Sequence, residues 1–478
     1  MRKYIMIWIL PLLLCACESW LDVKPNDRIS EDATFSTPRG FELALNGVYV
    51  DLNKTSLYGQ ALTWELVEIL AQRYAINRSS TYNTEVMNFN YASSSVQGRV
   101  RSTWEAAYAL IANVNMILKN CDARREVLSD EYYGLIKGEA LGLRALLHFD
   151  LFRLWGPRYS EETAASKSIP YYTFFALVGQ PQLTAGDFMQ KVTADLEEAA
   201  GLLQNDPVKT TVNPLAPDVA NVFKGYRALR MNYYAVKLLQ ARVYLYMNNK
   251  PMALAAAKEL TDVQEKTFPW IEPYAISGSP DNPDRMFSSE LVFALQNVNR
   301  KTIFTNRFDS DNLNAVALYA PDQKVVEQYV FDDEVEDLRY KAWLDKTVEK
   351  EGAKLKELMK YKATSSDSLY NQLIPMFRIS EAFYIRAECE GEEDEQAGMN
   401  WLNKVRNARL LQNRPAYYYE SVLESEYMRE FWGEGQLFFF FKRKNQEEIP
   451  SAYEAYRSVT MTPANYVLRI PDEESKYN

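Results

Sequence analysis

Residues Gly138–Pro157, GEALGLRALLHFDLFRLWGP, restrict the fold of this chain more than any other stretch. Leu141, Ala145, Phe149 and Phe152 recur at helical spacing, and Leu143, Leu146, Leu147 and Leu154 widen the apolar face beyond one stripe. A helix that is apolar on most sides needs neighbours on most sides, so the pattern predicts a core helix inside a helical assembly. Trp155-Gly156-Pro157 stops it, because proline cannot continue a helix. Glu139 and Arg144 near one end read as contacts between packed helices, and His148 reads as a packed side chain.

His148 is the only histidine among 478 residues. A histidine-based triad, a multi-histidine metal site and a histidine acid/base pair are therefore not expected. With 64 acidic residues a carboxylate pair can always be found, so such pairs carry no weight for glycoside hydrolysis. The sequence thus leads to no catalytic residues, no cofactor and no metal. Gly is scarce, 18 in the chain, which favours long helices over turn-rich sheets. Tyr is abundant at 32, giving more aromatic surface than a core needs.

The N-terminus reads as an address. Arg2 and Lys3 precede the apolar run Tyr4–Leu14, which is too short to span a bilayer and fits a secretory leader. Ala16-Cys17 resembles a bacterial lipoprotein cleavage box, so residues 1–16 read as a signal peptide and Cys17 as the lipid anchor. Residues 17–32 then form a polar lipidated tether. Removing Arg2 and Lys3 takes the formal charge from −10 to −12, which argues against nucleic acid and anionic lipid as partners. Cys121 and Cys389 are isolated and read as free thiols.

Along the mature chain, Ser36-Thr37-Pro38 starts a helix over 39–52, and further helices are expected over 58–74, 101–120 and 132–155. Asp187–Leu203 is amphipathic, with Phe188, Val192, Leu196, Ala199 and Leu203 on one face and Asp187 as its cap. Tyr233–Leu260 reads as two helices joined at Asn248-Asn249-Lys250. Ala241, Tyr244, Ala253 and Ala257 fall where a tetratricopeptide repeat places small and aromatic residues. Leu141–Trp155 with Asp187–Leu203, and Phe383–Cys389 with Ala397–Arg409, look like further such units. Gly391–Glu395 reads as a solvated turn between helices, and Phe438–Phe441 as a buried helix.

Two stretches break the helical pattern. Residues 77–97 are rich in Ser and Asn and read as a long loop carrying Tyr82, Phe89 and Tyr91. Residues 268–322 carry several prolines with Trp270, Tyr274, Phe304 and Arg307, and within them Ser289–Gln296 reads as a short core segment. Rings in such loops can stack on sugar faces or pin the loop to the body.

Ten segments, in order, resemble the RagB/SusD family of outer-membrane lipoproteins. They are Cys17–Asp22, Phe41–Tyr49, Tyr108–Leu118, Gly138–Gly156 and Asp195–Leu203, then Gln240–Tyr246, Asp337–Arg339, Phe377–Glu388, Leu402–Arg409 and Glu430–Arg443. The tail Leu468–Pro471 with Glu474 is similar to the family's closing segment, although Arg469 stands where proline is more usual. The resemblance implies an all-α fold of tetratricopeptide-like helix pairs with a loop-rich ligand-binding face. It divides the mature body into an N-terminal region 33–220 and a C-terminal region 221–478 holding the insertion 268–322. It also implies a non-catalytic lipoprotein on the outer membrane that binds a glycan and hands it to a SusC-like TonB-dependent transporter; a peptide is the alternative ligand. Family ligand sites fall in loops matching the two irregular stretches, which makes Arg73, Tyr74, Tyr82, Tyr91, Trp270, Tyr274, Phe304 and Arg307 the candidate ligand-binding residues.

Overall fold

The computed structural model describes residues 30–472 apart from 77–79, 176–178, 279–281, 313–317, 351 and 365–367, together with Glu474. The leader, Cys17 and most of the tether lie outside the described residues.

Three short or moderate helices open the body: α1 (Glu31–Thr34), α2 (Pro38–Leu52) and α3 (Leu66–Leu70). Thr37 caps α2 and Pro38 occupies its first position, as the sequence signal predicts. The helix expected over 58–74 shrinks to α3. Consecutive turns precede it, and Trp64 Nε1 donates to the carbonyl of Gly59 at 3.0 Å, within a fold-back that hugs Asn53 too closely for a Cβ at position 59. The stretch 77–97 is also not one loop. The two-residue strand β1 (Ala75–Ile76) leads to α4 (Thr81–Met87), which is capped by Ser80 and buries Asn83, Val86 and Met87. A local cap and one packed face suffice to make a helix there despite the polar composition.

Helix α5 (Ser94–Ala123) is thirty residues long and begins earlier than the pattern suggests. It packs on α6 (Asp130–Trp155), the helix of the opening stretch. Ser129 caps α6, and residues from Gly134 to Trp155 are buried almost without interruption, as an all-round apolar helix requires. At Gly142 a Cβ would lie 2.6 Å from Met231 Cγ, so the glycine permits that close approach. Helix α7 (Ala185–Leu202) is capped by Thr184, whose Oγ1 accepts from the Asp187 amide; Asp187 sits in the first turn instead.

The repeat reading holds. α6 pairs with α7, α8 (Tyr233–Tyr246) with α9 (Lys250–Thr261), and α14 (Ile379–Gly391) with α15 (Glu395–Ala408). α7 packs on α8 and α9 on α14, so the pairs stack into one helical scaffold with a continuous core.

After α10 (Gln264–Thr267), the stretch 268–322 contains α11 (Tyr274–Ser277), β2 (Leu291–Gln296), α12 (Arg300–Arg307) and β3 (Leu318–Asp322). A helical turn over Val325–Val330 and α13 (Leu338–Trp343) follow, then the hairpin β4 (Thr347–Lys350) and β5 (Ala353–Lys356), and β6 (Leu373–Arg378). Strands run in the order β1-β3-β5-β4 in one antiparallel sheet, while β2 pairs with β6 in another. The core segment at 289–296 is thus a buried strand. Helices α16 (Tyr419–Glu430) and α17 (Leu437–Lys444) and the hairpin β7 (Glu448–Pro450) and β8 (Ser458–Thr460) complete the chain. All four phenylalanines of α17 are buried, and Cys121 and Cys389 are free thiols.

Candidate functional site

Most resemblance segments of the C-terminal half meet in a buried ionic network and not at a surface. Arg339 pairs with Asp337, Glu426 and Glu430, and Arg378 with Glu434, at 2.5–2.9 Å between essentially unexposed side chains. Burial raises the carboxyl of Glu426, yet the guanidinium groups of Arg339, Arg429 and Arg406 outweigh it and hold the group below its ordinary value. These charges are paired and specify how the helices meet.

The candidate residues separate into three places. Around β1 and α12, Arg73 is buried, donates from Nη2 to the Met428 carbonyl at 2.6 Å and lies 3.7 Å over the Trp432 ring. Burial lowers its guanidinium to about 10. Tyr74 is fully buried with its ring 6.1 Å from Phe308, and Phe304 is buried as well. Tyr82 is half-buried beside Arg99, which pairs with Glu65 at 3.0 Å. Arg307, on the last turn of α12, is half-exposed. Elsewhere, the Tyr91 hydroxyl donates to the Asn465 carbonyl beside the N-terminal end of α5. Trp270 is half-buried and packs 4.9 Å from Phe383 on α14. Arg73, Tyr74, Phe304 and Trp270 therefore pack against the body. Sequence cannot separate them from exposed rings, because tertiary neighbours decide which face is covered.

Tyr274 differs. Its side chain is 75% exposed on α11, and its ring lies so close over Gly278 that a Cβ there would sit 2.2 Å from ring carbons. Pro273, Ile276 and Ser277 of the same segment line a groove of about 650 Å³. The opposite wall comes from the turn over 325–330, from α13 and from the end of α15. Ile276, Val335, Leu338 and Leu410 give the lining its apolar groups, and Glu327, Glu336, Lys341 and Asp345 its charged ones.

The polar wall is held in place. Glu327 accepts from Lys356 at 2.8 Å, from the Tyr340 hydroxyl at 2.6 Å and from Gln323. Burial works to raise its carboxyl, and these hydrogen bonds outweigh it and keep the group ionised and below its usual range. Leu410 adopts a left-handed backbone, φ 65°, which turns its side chain outward just after α15. Arg406 grips the same loop through its bonds to the Gln412 carbonyl. Past Asp345, Lys346 reaches Asp311 at 3.5 Å and Glu357 at 2.9 Å, which carries the polar surface toward the segment after Arg307.

The residues missed in the sequence are Val335, Lys341, Asp345 and Leu410. The apolar pair Leu410-Leu411 at a helix end was a visible signal, but the left-handed turn that exposes one of them was not. Among the described residues no group of His, Cys, Asp and Glu is placed to hold a metal, and no helix is long and apolar enough to cross a membrane. His148 is buried in α6.

The chain matches a SusD-like family model described as "Starch-binding associating with outer membrane" over residues 19–221, and the SusD family model over residues 322–475. SusD-like protein P25 of Formosa agariphila is 23% identical over 299 residues, 61% of this chain and 51% of its own. SusD-like protein P38 of the same organism is 25% identical over 250 residues, 52% and 42% of the two chains. The match thus spans about half the length of these curated relatives. A SusD superfamily protein from Bacteroides vulgatus superposes with a TM-score of 0.72 at 21% identity, covering 92% of this chain and 97% of that one. Surface glycan-binding protein A from Bacteroides thetaiotaomicron, solved in complex with laminarihexaose, gives 0.64 at 17% identity over 92% and 97%. The ordered segments, the stacked helix pairs and these matches agree: the chain belongs to the RagB/SusD family.

Proposed function

We propose that this chain is a non-catalytic glycan-binding lipoprotein of the outer membrane, anchored through Cys17, that passes an oligosaccharide to a SusC-like TonB-dependent transporter. The observation that carries the binding reading is the exposed Tyr274 ring on α11, whose neighbours Pro273, Ile276 and Ser277 line a groove with both apolar and charged groups. A sugar ring presents both kinds of group, with C–H faces that cover an aromatic ring and hydroxyls that bond carboxylates, phenols and ammonium groups. An open groove with a projecting ring favours a glycan over a peptide, which would use a deep cleft with backbone-facing polar groups. The family membership supports the location and the transporter partner.

The test is a glycan array followed by calorimetry on the mature protein and its Tyr274→Ala variant. Binding of an oligosaccharide that weakens in the variant is the expected result. Saturable peptide binding with no response to any glycan would sink the reading. The anchor is tested separately, since Cys17→Ser moves the protein out of the outer-membrane fraction if Cys17 carries the acyl chains.

A further inference from the structure

The groove beside α11 holds a carboxylate whose position is fixed by the backbone and by three side chains. Val325–Val330 winds as a π-helix, a wide turn that is rare and recurs at functional sites. It buries Val325, Val326 and Val330 and leaves Glu327 in the groove lining with 22% of its side chain exposed. Glu327 Oε1 accepts from the Tyr340 hydroxyl at 2.6 Å, from the Lys356 ammonium at 2.8 Å and from the Gln323 amide at 3.1 Å. Oε2 accepts from the Gln323 amide alone, at 3.0 Å. The donors are tied down in turn: buried Lys356 also donates to the Tyr340 hydroxyl at 2.7 Å and to Thr347 Oγ1 at 2.9 Å.

An ionised carboxylate accepts at about four positions and donates at none. With three contacts on Oε1 and one on Oε2, the open acceptor position of Glu327 is on Oε2. A group that meets it must bring a proton, as a hydroxyl does. A ligand carboxylate brings only charge of the same sign.

The rest of the lining does not offset that charge. Lys341, the only cation among the described lining residues, pairs with Glu336. Asp345 is exposed and has no ion pair among the described residues. An acidic ligand therefore meets two carboxylates and no free cation, the arrangement by which like charge turns partners away.

We propose that Glu327 is the specificity-determining residue of this groove: it takes a hydroxyl donor from the glycan and, with Asp345, keeps out glycans that carry acid groups. The proposal rests on the reading of the groove as the glycan site, and the test separates the two. Calorimetry on the mature protein uses malto-, cello-, laminari- and xylohexaose as neutral probes and hexagalacturonate and hexamannuronate as acidic ones. At least one neutral hexaose binds, weakens in Tyr274→Ala and binds about tenfold or more tighter than either acidic probe. Glu327→Gln weakens that hexaose about fivefold or more and narrows the gap to the acidic probes. Asp345→Asn narrows the gap as well, and so does added salt, because screening weakens repulsion between exposed charges. Lys356 loses its counter-charge in Glu327→Gln, so thermal melts accompany that variant, and Asp345→Asn, at an exposed position, carries the test if it does not fold. Acidic probes that bind as tightly as the neutral ones or tighter, or a gap unmoved by Asp345→Asn and by salt, overturn the proposal. A neutral hexaose that weakens in Tyr274→Ala but binds folded Glu327→Gln as it binds wild type overturns it while upholding the groove. Binding of no probe, or binding that Tyr274→Ala leaves unchanged, takes down the groove reading and this proposal with it.

Discussion

Arg409 and Glu290 meet through two parallel hydrogen bonds, Nη1 to Oε1 and Nη2 to Oε2, each 2.6 Å, with both side chains fully buried. Arg409 closes α15, and Glu290 lies in the loop-rich stretch immediately before β2. Glu290 Oε1 also accepts from the Ile271 amide at 2.9 Å, three residues ahead of Tyr274. The helical scaffold and the segment that carries Tyr274 are therefore joined by one carboxylate.

Replacing Arg409 with Gln leaves Glu290 and Glu430 without their shared cation in the interior. Removing one partner of a buried pair costs about 3–5 kcal/mol. Urea unfolding of the Arg409→Gln variant is expected to show a loss of that order, with its midpoint moved down accordingly.

Tyr274 and Trp270 are predicted to respond in opposite ways. Tyr274→Ala weakens binding of the glycan found on the array about tenfold, equal to roughly 1.4 kcal/mol. Its stability changes by no more than about 0.5 kcal/mol, as for an exposed position. Trp270→Ala lowers stability by more than that, because the ring packs against Phe383. Calorimetry and thermal melts on the two variants separate the roles.

His148 is expected to stay neutral and in one tautomer. Its Nδ1 faces the Arg144 carbonyl at 2.9 Å, an acceptor, and its Nε2 receives the Tyr172 amide at 3.0 Å, a donor. The proton therefore sits on Nδ1. Burial pushes the imidazole down to about 3, so the folded chain refuses a proton that the unfolded chain accepts near 6.5. Stability is full above 6.5 and drains away as the pH falls from there toward 3. As the only histidine, it gives a single imidazole signal in a nitrogen-correlated NMR spectrum, and no titration is expected between pH 5 and 8.

Lys442 acts in the same sense, in a higher pH window. Its Nζ donates to the carbonyls of Arg153 and Gly156 at 2.8 Å each and so caps the C-terminal end of α6. Burial, helped by the Arg153 charge, lowers its ammonium to about 7, against 10.5 for an ordinary lysine. Between those values the unfolded chain holds the extra proton, so stability rises with pH across that window. Wild type should gain on Lys442→Met between pH 7 and 10 when urea midpoints are compared.

The helical scaffold was legible because its signals are periodic and local. Tyr233–Leu260 shows two amphipathic runs with a polar break, and the structure places α8 and α9 there. Ser36-Thr37-Pro38 is a cap that works without distant help. Residues 58–74 mislead, since apolar content at helical spacing is equally served by tight buried turns closed on Gly59. At the candidate site the sequence names residue types but not their exposure. Arg73 and Tyr274 both stand in sequence as large side chains able to contact a ligand. One is sealed by Trp432 and Met428 and the other is left open by chain segments far from either.

The Tyr274 ring occupies the space where a side chain at position 278 would begin, so one of its sides rests directly on the α11 backbone. A sugar landing there, as proposed above, would cover a ring whose other side is already packed, and a ring so supported has less ordering entropy to lose at contact. Arrival is then limited by encounter and orientation, and departure by contact area alone.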